Sequence, residues 1–379
     1  MTTTPEHGTA DRPSSDVAAE ALAVNWELAS RWGGRLASPG PTADRTDLER
    51  LVASLRDAAT RALPMALEAS RLGAAVSASG RSEQRAEILV VDRPGWARAV
   101  GQSFEAMTSP VAGTAGGSSG ARPTPATAQA AGLLGVLAGR VLGQFDPFAH
   151  GAPAGGRLLL VAPNVLRMER LLSADPEDFR LWVCLHEQTH ALQFAAAPWL
   201  ADHLLAEVTG LVQDLASTTP AQELSTAAAA ARRALRRPPW RRPVSERGPD
   251  DGLGLLALAL NASQRERVDR ITAVMSLLEG HADVTMDAVG AAAIPSVQQL
   301  RARLESRRAS TGLDQLIGRL FGMEAKMAQY RRGAAFVREV RRLGGAAALD
   351  AAWSGPEGLP RPGEIGDPAA WVQRVLGSP

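Results

Sequence analysis

Two histidines one helical turn apart flank a glutamate in the segment His186-Glu187-Gln188-Thr189-His190. Residues four positions apart lie one above the other on a helix face, so both imidazoles can reach one metal ion. Glu187 directly follows His186, which places its carboxylate beside the ion, where it can take a proton from metal-bound water. Zinc is the expected ion, because two imidazoles with a carboxylate are a common set of catalytic zinc ligands.

A third ligand must come from elsewhere in the chain, and the segment 263–290 offers the best candidate. Glu279 lies at the edge of an apolar helical stripe, where a carboxylate is costly unless it is paired or binds a metal. We predict that Glu279 is the third ligand and that Asp283, one turn further on, accepts the free N–H of a ligating histidine. The alternative is a helix-edge glutamate and an exposed aspartate with no metal between them.

Three other residues are considered for the neighbourhood of the ion. His281 lies two residues from Glu279 and points to roughly the opposite side of a helix, so only one of the two can be the third ligand. His203 lies near the start of the next helix and is interpreted as structural or as part of the rim of the site. Tyr330, the only tyrosine, is a candidate for stabilising an oxyanion, with packing in the core as the alternative.

The metal-binding motif requires a helix, and its flanks predict one over residues 176–197. Asp175 is a favourable N-cap, and Pro176 suits the first helical position. Pro198 cannot continue the helix and ends the pattern.

Further helices must support this one. The segment 263–290 is predicted to be helical and to begin with a capping box formed by Ser263 and Glu266. Apolar residues at three- and four-residue spacing predict another helix over 45–72, and a Gly- and Ala-rich stretch predicts one over 133–142.

Strands are predicted to be few and short. Apolar and β-branched runs indicate strands at 88–91 and 158–161, and the first is expected to end in a turn at 92–95. Many helices with two or three short strands give an α-rich α+β architecture.

The predicted domain organisation is one domain over residues 21–379 behind a disordered polar tail, residues 1–20. Two flexible segments are expected inside the domain. One, at about 109–129, is rich in Gly, Ser, Pro and Thr, and the other, at about 217–253, is rich in Ala, Arg and Pro.

Composition limits the classes of partner. The chain has 41 basic and 40 acidic residues among 379, so neither nucleic acid nor a membrane surface is expected to bind it. The single cysteine excludes a disulfide framework. With no apolar signal segment and no apolar run of spanning length, we expect a cytoplasmic protein. The sequence does not indicate an oligomeric state.

Several segments together resemble a known family. They are HEQTHALQFAAAPWLADHL, LLEGHADVTMDAVG, VDRPGWARAV, LGQFDPF, GMEAKMAQYRRGAAFV and EIGDPAAWVQRV. They are similar to the actinobacterial zincin-like hydrolases, also described as zinc-dependent metalloproteases, over roughly residues 22–376. One branch of that family is labelled as associated with biosynthesis of a deazaflavin coenzyme. We interpret that label as reflecting neighbouring genes only.

The resemblance implies a zincin-like metallopeptidase core with a few short strands. It also implies that His186 and His190 bind zinc, that Glu187 is the catalytic base, and that Glu279 is the third ligand.

The expected function is therefore a zinc-dependent hydrolase of the metallopeptidase type, acting on a peptide or protein. Glu187 would take a proton from zinc-bound water and later give it to the leaving amine. The alternative is a zinc-stabilised binding or scaffold protein without turnover, because no substrate pocket is evident from the sequence.

Overall fold

Helices form most of the structure, a computed structural model that describes residues 24–112, 124–149, 154–216, 260–308, 323–345 and 347–377. The first helices are α1 (Trp26–Leu36), α2 (Arg45–Ser70), α3 (Gly73–Ala78), α4 (Arg93–Ala112), α5 (Pro125–Ala138) and α6 (Ala162–Leu172). The later ones are α7 (Pro176–Ala196), α8 (Leu200–Ala216), α9 (Ala262–Ala293), α10 (Val297–Arg308), α11 (Met323–Gly344), α12 (Asp350–Ser354) and α13 (Pro368–Leu376), with 3-10 turns at Pro356–Gly358 and Pro362–Ile365. None of the described helices is both long enough and apolar enough to cross a membrane.

A small sheet accompanies the helices. Its strands are β1 (Glu87–Val91), β2 (Gly143–Asp146) and β3 (Arg157–Val161), in the order β1-β3-β2. Strand β1 is parallel to the central β3, whereas β2 is antiparallel to it and lies at an edge of the described sheet. This arrangement confirms the predicted α-rich α+β fold class.

The central strand separates two helical layers. Leu158 and Leu160 face the larger hydrophobic core, and Leu159 and Val161 face the smaller one. All four side chains are fully buried, as expected for a strand covered on both faces. The larger core lies among α2, α7, α9 and α11, and the smaller among α1, α4 and α5. Helix α7, which carries both histidines, packs against α2 and α9 and is therefore central to the larger core.

Helix α7 begins as its sequence predicts. The Asp175 carboxylate accepts hydrogen bonds from the backbone N–H groups of Glu177 and Asp178, each at 3.0 Å. Glu177 and Asp178 also place negative charge at the positive end of the helix dipole. A cap of this kind contributes about 1 kcal/mol to stability. It also fixes the residue at which the helix begins, and thereby the positions of the two histidines along it.

The cap of α9 corrects a prediction. Asn261, and not Ser263, caps this helix, since its side chain accepts the N–H of Gln264 at 2.9 Å and the Gln264 side chain accepts the N–H of Asn261 at 2.9 Å. The predicted pair of Ser263 and Glu266 is thus displaced by two residues. Asparagine and glutamine form a capping box as well as serine and glutamate do, so the earlier pair begins the helix.

The turn predicted at 92–95 is the beginning of helix α4. The side chain of Asp92 accepts the N–H of Gly95 at 2.6 Å, and its carbonyl accepts the N–H of Trp96 at 2.9 Å. Pro94 lies in the first turn, where a missing N–H has no helical partner to lose. The prediction was wrong because Asp, Pro and Gly favour both turns and helix starts.

The flexible segment predicted at 109–129 is partly helical. Helix α4 continues to Ala112, and α5 begins at Pro125 with the Thr124 side chain as its cap, rather than near residue 133. Residues 113–123 lie outside the described residues, as do the predicted tail at 1–20 and the predicted flexible segment at 217–253.

Helices α8 and α9 are joined where they border residues 217–259. The Asp214 carboxylate pairs with Arg267, with 2.7 Å between Oδ2 and Nε. The Asp214 carbonyl accepts a hydrogen bond from Gln264 Nε2 at 3.1 Å. The end of one helix is thus held directly against the beginning of the next.

Candidate metal centre

Three side chains from two helices converge at one point. His186 and His190 project from α7 and Glu279 projects from α9. The two imidazole Nε2 atoms are 3.2 Å apart, and Glu279 Oε2 lies 3.2 Å from the Nε2 of His186 and 3.6 Å from that of His190. The structure therefore brings together the three residues that the sequence predicted as ligands.

This triangle has the dimensions of a zinc site. Ligand atoms about 2.1 Å from a zinc ion at the tetrahedral angle lie roughly 3.4 Å from one another. The observed separations of 3.2 to 3.6 Å bracket that value. Two imidazoles and a carboxylate are also a donor set that zinc favours at catalytic sites, so these residues fit the ion.

Helix α9, which carries Glu279, crosses helix α11 closely, and this crossing orients Glu279 toward α7. Gly280 of α9 and Gly333 of α11 meet at this crossing, and a Cβ on either glycine would overlap the backbone of the opposite helix. The two backbones can approach this closely only because both positions lack a side chain. The crossing sets the rotation of α9 and thereby the direction of the Glu279 side chain.

The charges around Glu279 keep it ionised. Burial alone would raise the pKa of this carboxyl, but hydrogen bonds from His186 and His190 hold it well below its usual range. Burial likewise would lower the pKa of His190, yet the neighbouring Glu279 and Glu187 raise it to about 9. A proton shared at this cluster must leave when a metal binds, as at other metal sites.

Glu187 lies beside the triangle and against the edge strand β2. It is 6% exposed, and burial raises its pKa. One carboxylate oxygen, Oε2, accepts the backbone N–H of Phe145 at 3.0 Å. Strand β2 was not among the predicted strands, so this contact could not be expected from the sequence.

The outer nitrogens of the two histidines have different partners. His190 Nδ1 is 2.9 Å from Gln193 Oε1, whereas His186 Nδ1 is 3.4 Å from the thioether sulfur of Met286. Neither Gln193 nor Met286 was predicted from the sequence to contact the histidines. Gln193 could have been found from its position three residues after His190, which places both on one helix face. Met286 belongs to another helix, and its contact depends on tertiary packing.

Asp283 does not occupy the place that the sequence predicted. Its carboxylate pairs with Arg301 of α10 at 3.1 Å and lies 3.9 Å from Arg338 of α11. Since the outer nitrogens of both histidines face other partners, these contacts contradict the predicted role of Asp283 as their acceptor. The two arginines draw this carboxylate toward α10 and α11.

His281 points away from the triangle, as its two-residue offset from Glu279 indicated. It is 1% exposed, with Nδ1 3.1 Å from Gln193 Nε2 and Nε2 3.2 Å from the carbonyl oxygen of Ser70. Burial lowers its pKa to about 3, with a contribution from Arg341. The structure therefore places Glu279, and not His281, beside the imidazoles of His186 and His190.

The remaining candidates lie elsewhere or are not described. His203 packs edge-on against Trp199, with ring centroids 6.0 Å apart. Its interpretation as structural or as part of the rim stays a prediction. Tyr330 falls within helix α11, but its side chain lies outside the described residues, so its role as an oxyanion stabiliser stays a prediction.

Residues 24–372 match the model of the zincin-like metallopeptidase family. The chain belongs to this family. No curated protein matches it significantly. Among solved structures, it is similar to a protein from Chloroflexus aurantiacus that is described as a proposed hydrolase with a novel fold, at 30% identity and a TM-score of 0.60 over 94% of this chain and 100% of the other.

Membership of the zincin-like family confirms the resemblance that the sequence segments carried. A zincin-like family implies a metal, typically zinc, and the described residues hold a group of suitable donors in His186, His190 and Glu279. The actinobacterial origin stays a prediction, and neither likeness bears on the deazaflavin label.

Proposed function

We propose that this zincin-like protein hydrolyses peptide bonds with a single zinc ion held by His186, His190 and Glu279, and with Glu187 as general base. The observation that carries the proposal is the triangle of ligand atoms, 3.2 to 3.6 Å on a side, beside a buried glutamate. The family name and the Chloroflexus relative both support a hydrolase.

Zinc, when bound, supplies a Lewis acid that activates water and stabilises negative charge on the substrate carbonyl oxygen. Glu187 receives a proton from the attacking water and then delivers it to the leaving amine. The N–H of Phe145 holds one oxygen of the Glu187 carboxylate in place during both transfers. Burial raises the pKa of Glu187, which suits a group that must both accept and return a proton.

The edge strand β2 supports a peptide as the substrate. The N–H of Val161 donates to the carbonyl of Leu142 at 2.8 Å, so alternate residues of β2 bond to β3. Gly143 and Phe145 consequently direct their backbone groups to the opposite side, where Phe145 meets Glu187. Glu187 already takes the Phe145 N–H, so an extended peptide would pair with this edge through its outward carbonyl groups, which would bring the amide bonds of the peptide close to the general base.

The substitution Glu187→Gln tests this proposal. Glutamine has nearly the same shape but cannot accept the proton, so hydrolysis of a peptide library should fall by about two to four orders of magnitude. Zinc content and melting temperature should stay at wild-type values. The matched control is Glu177→Gln, the same chemical change at an exposed position of the same helix, which should leave activity unchanged.

The rival function, a zinc-stabilised scaffold without turnover, gives a different result. Wild-type protein and the Glu187→Gln variant would then both bind zinc and would both leave the library intact, with or without a chelator. Equal residual hydrolysis by both proteins would indicate a contaminating protease and would contradict the role of Glu187.

A further inference from the structure

Three buried groups behind His190 form a continuous series of hydrogen bonds. His190 Nδ1 contacts Gln193 Oε1 at 2.9 Å, Gln193 Nε2 contacts His281 Nδ1 at 3.1 Å, and His281 Nε2 contacts the carbonyl oxygen of Ser70 at 3.2 Å. Gln193 and His281 are each at most 1% exposed. The series thus runs from the end of helix α2 through α9 to α7, shielded from water.

The direction of every bond in this series follows from the Ser70 carbonyl. A carbonyl oxygen can only accept, so His281 Nε2 carries a proton. Neutral His281 therefore has a lone pair on Nδ1, and Gln193 Nε2 donates to it. Gln193 then presents its oxygen to His190, whose Nδ1 must carry the proton.

The carbonyl of Leu278 determines the same orientation of the amide independently. It lies 2.8 Å from Gln193 Nε2, and since it too can only accept, the nitrogen and not the oxygen must face α9. Two acceptors therefore hold the amide nitrogen, and Gln193 Oε1 is left facing His190.

We propose that Ser70, His281 and Gln193 form a positioning relay that holds His190 in its Nδ1–H tautomer with Nε2 directed at zinc. This inference rests on the proposed zinc site and adds residues that do not touch the ion. Histidine ligands at metal sites usually donate their other N–H to a carboxylate, a backbone carbonyl or water. Here a neutral amide accepts it, and a buried neutral histidine orients that amide.

The relay makes the two histidine ligands unequal. Among the described residues, the outer nitrogen of His186 contacts the Met286 sulfur, a weak acceptor, at 3.4 Å. Its side chain is also more exposed than that of His190, at 29% against 13%. His190 is therefore the ligand with the fixed orientation, and His186 is the one that can adjust.

Zinc affinity, measured by competition with a chelator, tests the relay without any assay of hydrolysis. Gln193→Leu should weaken zinc binding by about 10- to 100-fold, the usual effect of losing the partner of a histidine ligand. His281→Phe should weaken it in the same direction, and His281→Asn should restore part of the loss by offering Gln193 an oxygen acceptor. The control is Ser276→Ala, which removes the hydrogen bond of a buried serine within α9 but leaves the relay intact and should keep wild-type affinity. Wild-type affinity in Gln193→Leu would overturn the proposal.

Nitrogen-15 NMR of the imidazole rings provides a second readout that needs no variant. His281 should be the neutral Nε2–H tautomer, with or without zinc, and His190 the Nδ1–H tautomer in the zinc-loaded protein. An Nδ1–H tautomer at His281 would reverse the series and overturn the relay. If wild-type protein binds no zinc while His281 shows the expected tautomer, the zinc proposal fails and the hydrogen-bond series stands.

Discussion

The backbone of Gly143 lies directly against the side chain of Glu187. A Cβ atom on Gly143 would stand 2.6 Å from Glu187 Cγ and 2.9 Å from Oε1, closer than such atoms can approach. This contact and the hydrogen bond from the Phe145 N–H together hold the Glu187 carboxylate against strand β2. The position of the proposed base is therefore set by the strand as well as by its own helix.

Gly143→Ala should lower the rate of hydrolysis while leaving zinc in place. The three atoms nearest to the added methyl group all belong to Glu187. The methyl group should therefore displace this carboxylate, and we expect a loss in kcat of about 10-fold or more, or roughly 1.4 kcal/mol of barrier per tenfold. Steady-state kinetics and metal analysis measure the two quantities. Gly132→Ala is the control, because a Cβ there meets nothing within 4 Å. Unchanged kcat in Gly143→Ala would show that the strand does not position the base.

Purified protein should contain about one zinc ion per chain, as a three-ligand site requires. His186→Ala, His190→Ala and Glu279→Ala should each remove most of it, while His281→Ala should retain a reduced affinity. Chelation should lower the melting temperature of the wild type, because an ion that binds only the folded chain stabilises it. Elemental analysis of the variants decides the third ligand, and zinc retained at wild-type affinity in Glu279→Ala would contradict the assignment.

Asp283→Asn should change stability and not zinc affinity. The substitution weakens the ion pairs with Arg301 and Arg338, which are partly exposed, so a loss of about 0.5 to 1 kcal/mol in the free energy of unfolding is expected. Denaturant unfolding measures this loss, and a chelator competition measures the affinity. A tenfold weaker zinc affinity would return Asp283 to the metal site.

The pair of Glu364 and Arg374 should make stability depend on pH in acid. Burial alone would raise the pKa of Glu364, but hydrogen bonds from Arg374 and from the backbone of Arg361 lower it. A carboxyl whose pKa is lower in the folded state contributes stability above its ordinary pKa of about 4.3, and this contribution is lost as the pH falls through the folded value. Glu364→Gln should therefore cost about 1 to 2 kcal/mol at pH 7, since Arg374 is partly exposed, and less as the pH falls below about 4. A difference in unfolding free energy between the two proteins that is the same at every pH would contradict this coupling.

The sequence was most informative where the physics is local. His186, Glu187 and His190 follow from spacing along one helix, and Asp175 caps that helix as predicted. Glu279 was predicted because burying a carboxylate on an apolar stripe is costly unless it is paired or binds a metal. These inferences require only the helix period and the cost of burying a charge.

The predictions failed where contacts between residues distant in sequence decide the structure. Asp283 was placed on the correct helix, but arginines of α10 and α11 pair with it, and no helix rule predicts those neighbours. Strand β2 was missed because Gly143 and Asp146 have weak strand preference. It forms by pairing with β3, helped by an ion pair in which Asp146 Oδ2 lies 2.6 Å from Arg157 Nη2.

Asp214 of α8 is bound to Arg267 and Gln264 of α9 by contacts that would remain if the chain between the two helices were cut. These contacts lie within the two helices themselves, so non-covalent bonds as well as the covalent chain connect α8 to α9. A chain cut between residues 216 and 260 would yield one fragment with His186 and His190 and another with Glu279, and neither fragment alone would hold the complete ligand set. Mixing the two fragments would bring the ligands together again, so that zinc would become a bridge between two separate polypeptides.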